Sequence, residues 1–355
     1  MARVVVVGAG VVALGTAMLL AGDGHQVSVL ERDPEAPPAD PMEAWARWQR
    51  PGLNQFRMAH CFLGGFRSVL DAELPGVSKA LKDTGGFMYF QRTFRSADGS
   101  VPPLMGPPQI HWGTISSITL PADNGTWAVV LVTGSKDPAL RPLREADRWA
   151  ATVRGLPLVA HWLDGTPIDD GVQVMARLED RYRGFVMDGS PVATGVVAVA
   201  DSWACSNPAN GRGASIGMLH ALTLRDQLRA VDLGDPDAFA AAFHAATAEI
   251  VEPWYRATLA SDRHRLGEVE AGIRGAAYDS PDPWYELSKA LDAAFGRDPE
   301  CTRATFDIGF VLRTPDEVFA QPGLRDKTLQ LGSGWRDARP FGPTREQLLA
   351  LVSAL

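Results

Sequence analysis

Residues 3–32 of the chain read RVVVVGAGVVALGTAMLLAGDGHQVSVLER, and they carry the strongest structural signal in the sequence. The run from Arg3 to Val7 is β-branched and apolar at successive positions, which is typical of a parallel strand covered on both faces. A helix is predicted to follow the glycine turn and to end near Gly22 and Gly24. Residues 26–30 form a second predicted strand, so the stretch reads as a β-α-β unit.

The turn of this unit has the spacing of a dinucleotide-binding loop. Gly8 permits the tight turn, Gly10 lets backbone N–H groups approach a pyrophosphate, and Ala13 is small enough for close packing of helix on strand. Glu31 ends the second strand, where a carboxylate accepts hydroxyls of an adenosine ribose, and Arg32 follows it. The acid favours FAD or NAD over NADP, although Arg32 is also suited to a 2′-phosphate. A plain glycine turn is the alternative.

A second glycine motif lies beyond the midpoint of the chain. The residues TGVVAVAD at 194–201 form a predicted apolar strand that ends in an acid, and SWACSNPANGRGASIG at 202–217 opens a long helix. This arrangement resembles the second flavin motif of the FAD-dependent monooxygenases of the aromatic-hydroxylase and epoxidase type. The alternative is a capped helix after a strand. The resemblance implies cofactor-binding roles for Asp201, Pro208, Gly211, Gly213, Ala214 and Ser215.

Residues 50–60, RPGLNQFRMAH, point to the same proteins. They resemble the segment of the polyether-epoxidase branch in which a basic-Gly-Val-Pro-Gln run precedes a histidine, with Asn54 here in place of that proline. The resemblance suggests Arg50, Gln55 and His60 as catalytic candidates beside the flavin or substrate. An exposed loop with structural hydrogen bonds is the alternative.

Between the two glycine motifs the pattern changes to short runs with period-two alternation, at 87–90, 115–120 and 127–132. The last two are joined by Pro-Ala-Asp-Asn-Gly, a hairpin signal, so a mainly antiparallel substrate sheet is predicted. Residues 141–154 are predicted to form a helix against it. The tryptophans of this region are assigned chiefly to core packing, and Ser96 to Ser100 to a turn.

The fold class predicted from these patterns is α/β, with a Rossmann-like split FAD-binding domain, an inserted sheet and a helical C-terminal region. The predicted parts are 1–80 and 191–232 for FAD, 81–190 for the substrate sheet and 233–355 for the helical region. Helices are predicted at 235–264, 283–295 and 344–355. Only residues 74–85 bridge the two regions of resemblance, residues 1–75 and 85–230, which is too short for a crossover helix and the two further strands such proteins usually carry.

Composition excludes several classes of partner. The 355 residues include 34 Lys and Arg against 42 Asp and Glu, a net charge of −8, so no basic excess is available for nucleic acid or anionic lipid. Three scattered cysteines favour a reducing compartment, and Cys205, near a predicted helix N-terminus, is assigned to packing rather than to reactivity. Without a signal peptide or membrane segment in the pattern, a cytoplasmic protein is expected. No metal-ligand spacing is present.

The resemblance implies an FAD-dependent monooxygenase that hydroxylates or epoxidises a hydrophobic small molecule through a flavin hydroperoxide. NAD(P)H is then the expected reductant, with a separate flavin reductase as a possible partner. Two alternatives stay open. One is a flavin-dependent dehydrogenase, reductase or cyclase of the same fold, and the other is a cofactor-free remnant of the fold that acts as a binding module.

Overall fold

A computed structural model describes residues 1–40, 43–44, 47–53, 62–77, 92–122, 125–168, 171–175, 180–338 and 341–353. The chain combines helices with one larger antiparallel sheet and a small parallel unit. The strands are β1 (Arg3–Val7), β2 (Gln26–Leu30), β3 (Arg92–Arg95), β4 (Gln109–Trp112), β5 (Ile115–Pro121), β6 (Thr126–Thr133), β7 (Thr166–Pro167), β8 (Arg181–Tyr182), β9 (Val186–Met187), β10 (Ser190–Pro191) and β11 (Ala204–Cys205). The helices are α1 (Val11–Gly22), α2 (Gly64–Glu73), α3 (Ala146–Arg154), α4 (Gly213–Ala230), α5 (Pro236–Ile250), α6 (Glu252–Ile273), α7 (Pro283–Ala294), α8 (Pro299–Gly309), α9 (Pro315–Phe319), α10 (Leu324–Leu331) and α11 (Arg345–Ser353).

The predicted β-α-β unit is confirmed. β1 and β2 pair in parallel with Val4 opposite Val27 and Val7 opposite Leu30, and α1 connects them. The expectation that β1 is covered on both faces is wrong, because Val5 and Val7 are 58% and 82% exposed. Within the described residues this sheet has only two strands, so each strand has one neighbour and one free edge.

The helices that follow the two glycine motifs, α1 and α4, pack side by side and run in the same direction. Val12 at the start of α1 lies against Gly217 near the start of α4, and Asp23 after the end of α1 pairs with Arg229 near the end of α4. A methyl group added at Gly217 would meet Val12 Cγ2 at 2.7 Å, so the helices approach closely there. The N-termini of both helices therefore point to the same side of the molecule.

The strand predicted at 194–201 is not formed. Residues 195–199 have no strand pairing, and residues 200–202 form a short 3-10 turn in which Ala200 has a positive φ of 55°. In place of a sheet neighbour, the segment packs on α4: the backbone N–H of Ala200 donates to Nδ1 of the buried His220, 3.2 Å away. Ala198 and Val199 thus pack against α4, whereas Val196 is exposed. Hydrophobic period and composition do not distinguish packing on a helix from pairing in a sheet.

The predicted antiparallel sheet is confirmed, with the strand order β4-β5-β6-β3-β7. β5 and β6 pair from Ile115 opposite Thr133 to Pro121 opposite Trp127, as the hairpin signal indicates. The predicted run at 87–90 lies outside the described residues. Ser96 to Ser100 form a bend with Gly99 at a φ of 77°, in agreement with the predicted turn.

Alternation gives this sheet two different faces. Ile115, Trp127 and Val129 belong to a core that includes the completely or almost completely buried Trp112, Trp149 and Trp162. The tryptophan assignment to core packing is therefore confirmed for these residues. Their strand neighbours point to the opposite face, where His111 pairs with Ser116 and Ile118 with Val130. That second face borders a large cleft.

The helical C-terminal region is confirmed, with adjusted boundaries. The segment predicted as one helix at 235–264 divides at Val251, before Pro253, into α5 and α6. The helix predicted at 141–154 is shorter, because residues 138–144 form a 3-10 turn with Pro142 inside it. α11 packs on α3, and its Leu348 and Val352 join the core of the sheet. The four proposed domain ranges stay a prediction.

Candidate functional site

A cleft of about 3460 Å³ runs between three parts of the fold. The two glycine loops and the starts of α1 and α4 form one side. The second face of the antiparallel sheet forms another, and α6 and α7 form the third. Clefts of this kind, with convergent polar groups on an apolar lining, are the usual place for a small-molecule site.

The first glycine loop is built for a close approach of backbone to ligand. Gly8 has a φ of 103°, which an L side chain rarely adopts, and its N–H donates to the carbonyl oxygen of Leu30 at 2.7 Å. Gly10 is the N-cap of α1, in extended conformation and without a side-chain cap. The space where its side chain would lie is empty, so nothing of the protein blocks the first turn of α1. Ala13 follows within that helix and borders the cleft.

Glu31 connects the ends of β1 and β2. Its Oε2 accepts from the backbone N–H of Ala9 at 2.8 Å and from Nη2 of Arg50 at 2.8 Å, while Oε1 accepts from the N–H of Asp33 at 2.9 Å. The backbone N–H groups of Asp33 and Ala9, followed by the charge of Arg50, lower the pKa of this carboxyl below its usual value. The group is thus an ionised acceptor beside the glycine loop at neutral pH.

Arg50 is held at this acid rather than in an open loop. Besides Glu31, it pairs through Nε with Asp33 Oδ2 at 3.0 Å, and its side chain is 9% exposed. Asp33 Oδ1 and Oδ2 also accept from the N–H of Gly52. Arg32 lies close to Gly52, where its Nη2 occupies the space that a side chain would need. Gln55 and His60, the other two catalytic candidates, lie outside the described residues, and all three roles stay predictions.

The second glycine motif borders the same cleft as the first. Asp201 is exposed in the 3-10 turn, and its backbone carbonyl accepts from Arg183. Pro208 begins another short turn, which Asn207 caps by accepting from the N–H of Ala209 at 3.1 Å. Gly211 ends this turn with a left-handed φ of 64° and leads into α4, whose first residues are Gly213, Ala214 and Ser215. Their N–H groups have no acceptor one turn earlier within the helix.

Unpartnered polar atoms collect beneath this helix start. Within the described residues, three buried side-chain atoms lack a hydrogen-bond partner: Arg212 Nε, Ser215 Oγ and Asp262 Oδ2. All three belong to residues at or against the first turn of α4, since Arg212 bonds to Thr258 of α6 and Asn207 bonds to Asp262 of α6. Buried polar groups are normally paired, so this concentration marks a place where a polar ligand group would be accommodated.

Burial also shifts the ionisation of this group. It raises the pKa of Asp262 to about 7, against the opposing effects of the Asn207 hydrogen bond and of Arg212. Burial likewise lowers the pKa of Arg212, with the charge of Asp262 opposing it. Arg212 is a guanidinium and stays charged at neutral pH, whereas Asp262 exchanges its proton near that pH.

The opposite part of the cleft holds charged groups that the sequence patterns do not single out. They come from β4, α6 and α7, and we refer to them as the charged wall. In the sequence they are single polar residues within strands and helices that are otherwise interpreted as packing elements, so no motif marks them. The charged wall consists of His111, Arg265, Glu268, Lys289 and Asp292.

One other sequence assignment, that of Cys205, is tested by the structure. Cys205 forms part of the short strand β11, and burial raises the pKa of its thiol, in agreement with a packing role. His220 is completely buried and stacks on Phe243, and its pKa is lowered to about 4 by burial, as expected of a core histidine. Among the residues that the structure describes, no group of three His, Cys, Asp or Glu side chains is arranged to hold a metal ion.

No described helix combines the length and apolar character needed to cross a lipid bilayer.

Comparison with known proteins gives a distant structural likeness. No family model and no curated protein matches the sequence. A structure of a Klebsiella pneumoniae HpxO variant complexed with FAD is 15% identical, over 93% of this chain and 98% of that chain, with a TM-score of 0.40. A structure of Klebsiella pneumoniae HpxO complexed with FAD and uric acid is 14% identical, over 93% and 97%, with a TM-score of 0.38. Similarity at this level assigns neither family nor activity to the chain.

Proposed function

We propose that the chain is an FAD-binding oxidoreductase of the monooxygenase type that acts on a hydrophobic small molecule. The observation that carries the proposal is the parallel packing of α1 and α4, which brings both glycine loops to one cleft. FAD has an adenosine at one end and a flavin at the other, and two loops at one cleft would contact both halves, with the pyrophosphate at a helix N-terminus.

In this proposal the adenosine end lies at the first loop. Glu31 has one of the roughly four acceptor sites of a carboxylate left after its three hydrogen bonds and would accept a ribose hydroxyl there. The N-terminus of α1, with Gly8 and Gly10, would bind the pyrophosphate, which the partial positive charge of the helix favours. Ala13 leaves space along the first turn, and Arg32 lies near enough to the acid to contact the adenosine half. Arg50 positions Glu31 and is assigned here as a positioning residue.

The flavin end would lie at the second loop, with Asp201 and Pro208 beside it. The free N–H groups of Gly213, Ala214 and Ser215, together with unpartnered Arg212 Nε and Ser215 Oγ, are donors suited to the carbonyl and ring-nitrogen edge of a flavin. Flavin supplies the redox chemistry, and reduced flavin carries negative charge at that edge. The start of α4 stabilises such a charge electrostatically.

The apolar second face of the sheet supports the oxygenase form of the proposal. Ile118, Leu120 and Val130 line the cleft opposite the helix start. Such a lining excludes water from the reacting centre and favours an apolar substrate. NAD(P)H is the proposed reductant, delivered directly or through a flavin reductase.

The first test is a visible absorption spectrum of the purified protein, before and after addition of FAD and gel filtration. The proposal predicts retained flavin absorbance near the usual two visible bands, and consumption of NAD(P)H that increases with substrate. A protein that remains colourless after FAD addition contradicts it. NAD(P)H oxidation without an oxygenated product favours the dehydrogenase or reductase alternative.

Glu31→Ala is expected to weaken FAD binding by about tenfold or more, because it removes an ionised acceptor whose hydrogen bonds each contribute about 1.5–3 kcal/mol. Asp201→Ala is expected to act in the same direction. Fluorescence titration with FAD measures both effects. Glu249→Ala, at an exposed position of α5, is the matched control and should bind FAD as the parent does. Parental affinity in both variants would remove the assigned carboxylates from the site.

A cofactor-free binding module is the second candidate, and one observation favours it. The parallel unit has two strands, and the segment at 195–199 forms no third strand, so the adenosine half would have fewer apolar neighbours than in a full dinucleotide domain. Each lost apolar contact weakens binding by about 25 cal/mol per Å². The FAD titration above separates the two candidates.

A further inference from the structure

The charged wall is assembled from three elements that meet over the sheet. Arg265 on α6 donates through Nη2 to the carbonyl oxygens of Gly113 and Ile115 and to Ser116 Oγ, which fixes α6 against β4 and β5. Arg265 also donates through Nη1 to Glu268 Oε2 at 3.1 Å. This arginine is therefore committed to the protein and orients its neighbours.

Ser116 and Arg265 form the hydrogen-bonding environment of His111. Ser116 Oγ accepts from Arg265 at 3.2 Å and lies 2.8 Å from His111 Nδ1. Burial and the positive charges of Arg265 and Lys289 lower the pKa of His111 to about 4, so the ring is neutral at pH 7. A hydroxyl that accepts from Arg265 still has its own proton, and we assign that proton to the hydrogen bond with Nδ1 of the neutral ring. In this tautomer His111 carries its proton on Nε2, and its ring borders the cleft.

Lys289 supplies further donors beside this ring. Its ammonium pairs with Glu268 and lies 5.8 Å from the centre of the Tyr285 ring. An ammonium has three N–H donors, and within the described residues Glu268 is its one hydrogen-bonding partner. Two N–H groups are therefore left for a ligand. The charges of Arg265 and Lys289 together exceed that of Glu268 by one as long as Asp292, the other carboxyl of the charged wall, is protonated.

Asp292 lies one turn beyond Lys289 on α7 and borders the same part of the cleft. It makes no hydrogen bond or ion pair with the residues that the structure describes. Desolvation by the surrounding protein raises the pKa of Asp292 to about 6. The positive charge of Lys289 opposes this rise, and the negative charge of Glu268 adds to it. This carboxyl is thus neutral below about pH 6 and adds a negative charge above it.

We propose that the charged wall binds the carboxylate of a small organic acid, held by Lys289 and by the Nε2–H of His111. The two donors come from α7 and β4 and face one cleft. Their remaining N–H groups would donate to the two oxygens of a carboxylate. Identification of this acid as the substrate rests on the proposed function. Binding of the acid itself depends only on the charged wall.

The position of the charged wall suits a substrate beside a flavin. Asp262 lies beneath the start of α4, and Glu268 follows six residues later on the same helix, which corresponds to about 9 Å along the axis. An aromatic or aliphatic acid of moderate size anchored at Lys289 spans this distance. Its apolar part would then lie against Ile118 and Leu120 of the sheet.

Isothermal titration with benzoate and with its neutral isostere benzamide tests the proposal on the full chain. Benzoate is expected to bind about tenfold more tightly than benzamide, because the ammonium recognises the charge. Lys289→Met should weaken benzoate binding by about tenfold, and His111→Leu by a smaller factor. His111→Gln, which retains a donor, should recover part of the loss. Lys136→Met, at an exposed surface pair outside the cleft, is the matched control.

The pH dependence of benzoate affinity gives a second readout. Benzoate affinity should rise as the pH falls from about 8 to about 5.5, since protonation of Asp292 removes a neighbouring negative charge, and Asp292→Asn should flatten this dependence. The charged and titratable groups that border this part of the cleft are Tyr285 and Lys289 on α7, His264, Arg265 and Glu268 on α6, and His111 on β4.

Three results overturn the proposal: no detectable benzoate binding, equal affinity for benzoate and benzamide, or parental benzoate affinity in a folded Lys289→Met variant. Thermal unfolding of each variant shows whether it is folded. All titrations are run with and without FAD. Benzoate binding in a protein that takes up no FAD sustains the acid site and contradicts the proposed function. FAD uptake without benzoate binding sustains the proposed function and contradicts the acid site.

Discussion

Asp262 shows how one buried residue couples the candidate site to pH. Its Oδ1 accepts from Asn207 at 3.1 Å, its Oδ2 is unpartnered, and burial raises its pKa to about 7. An unfolded aspartate releases its proton near pH 4. Between these two values the folded protein holds a proton that the unfolded chain has lost, so the free energy of unfolding decreases as the pH rises.

Asp262→Asn removes this contribution. We expect the variant to gain about 2–4 kcal/mol of stability relative to the parent between pH 4 and pH 7.5, since each pKa unit corresponds to about 1.4 kcal/mol. Urea unfolding at a series of pH values measures the difference. Asp164→Asn, at an exposed position, is the control and should follow the parent. A difference that does not change with pH would mean that Asp262 is ionised throughout.

At the scale of elements, the contact between α1 and α4 determines whether two glycine loops form one site. A side chain at Gly217 would meet Val12 Cγ2 at 2.7 Å and Ala200 Cβ at 3.0 Å, and a side chain at Gly15 would meet Met218 Sδ at 2.6 Å. Small residues on both helices therefore permit the close approach. The dinucleotide pattern explains Gly8 and Gly10, but it gives no reason for Gly15 or Gly217.

Gly217→Ala is expected to separate the two helices. Overpacking of this kind costs about 1–3 kcal/mol of stability, and the displaced helix starts should also bind FAD less tightly. Thermal unfolding and FAD titration measure the two effects. Gly22→Ala, at the end of α1, meets no neighbouring atom and serves as the control. If Gly217→Ala unfolds and binds FAD as the control does, the helix contact is not what aligns the loops.

At the scale of the whole molecule, the C-terminal helix stabilises a sheet that lies far before it in the chain. Leu348 of α11 is 1% exposed and packs among residues of β3, β6 and α3. Arg345 donates through Nη1 and Nη2 to the two carboxylate oxygens of Asp137, at 2.7 and 2.9 Å. The sheet in turn forms the apolar side of the cleft. α11 therefore supports the sheet without bordering the cleft.

Leu348→Ala should lower the free energy of unfolding by about 2–5 kcal/mol, the usual cost of such a cavity in a core. FAD affinity should stay unchanged at temperatures where the variant is folded, because Leu348 itself does not border the cleft. Leu312→Ala, at an exposed position, is the control for side-chain size. A parental unfolding free energy for Leu348→Ala would show that α11 is dispensable for the sheet.

The sequence alone determined the β-α-β unit with Glu31 at its end, the antiparallel sheet, its buried tryptophans and the helical C-terminal region, because all four rest on local periodicity and turn chemistry. It misread 194–201, where apolar residues pack on α4 and form no strand. Tertiary structure alone decided that both glycine loops share one cleft, and it brought His111, Lys289 and Asp292 together from distant segments. Such long-range contacts depend on helix packing and sheet faces, and no pattern within a short window of sequence encodes them.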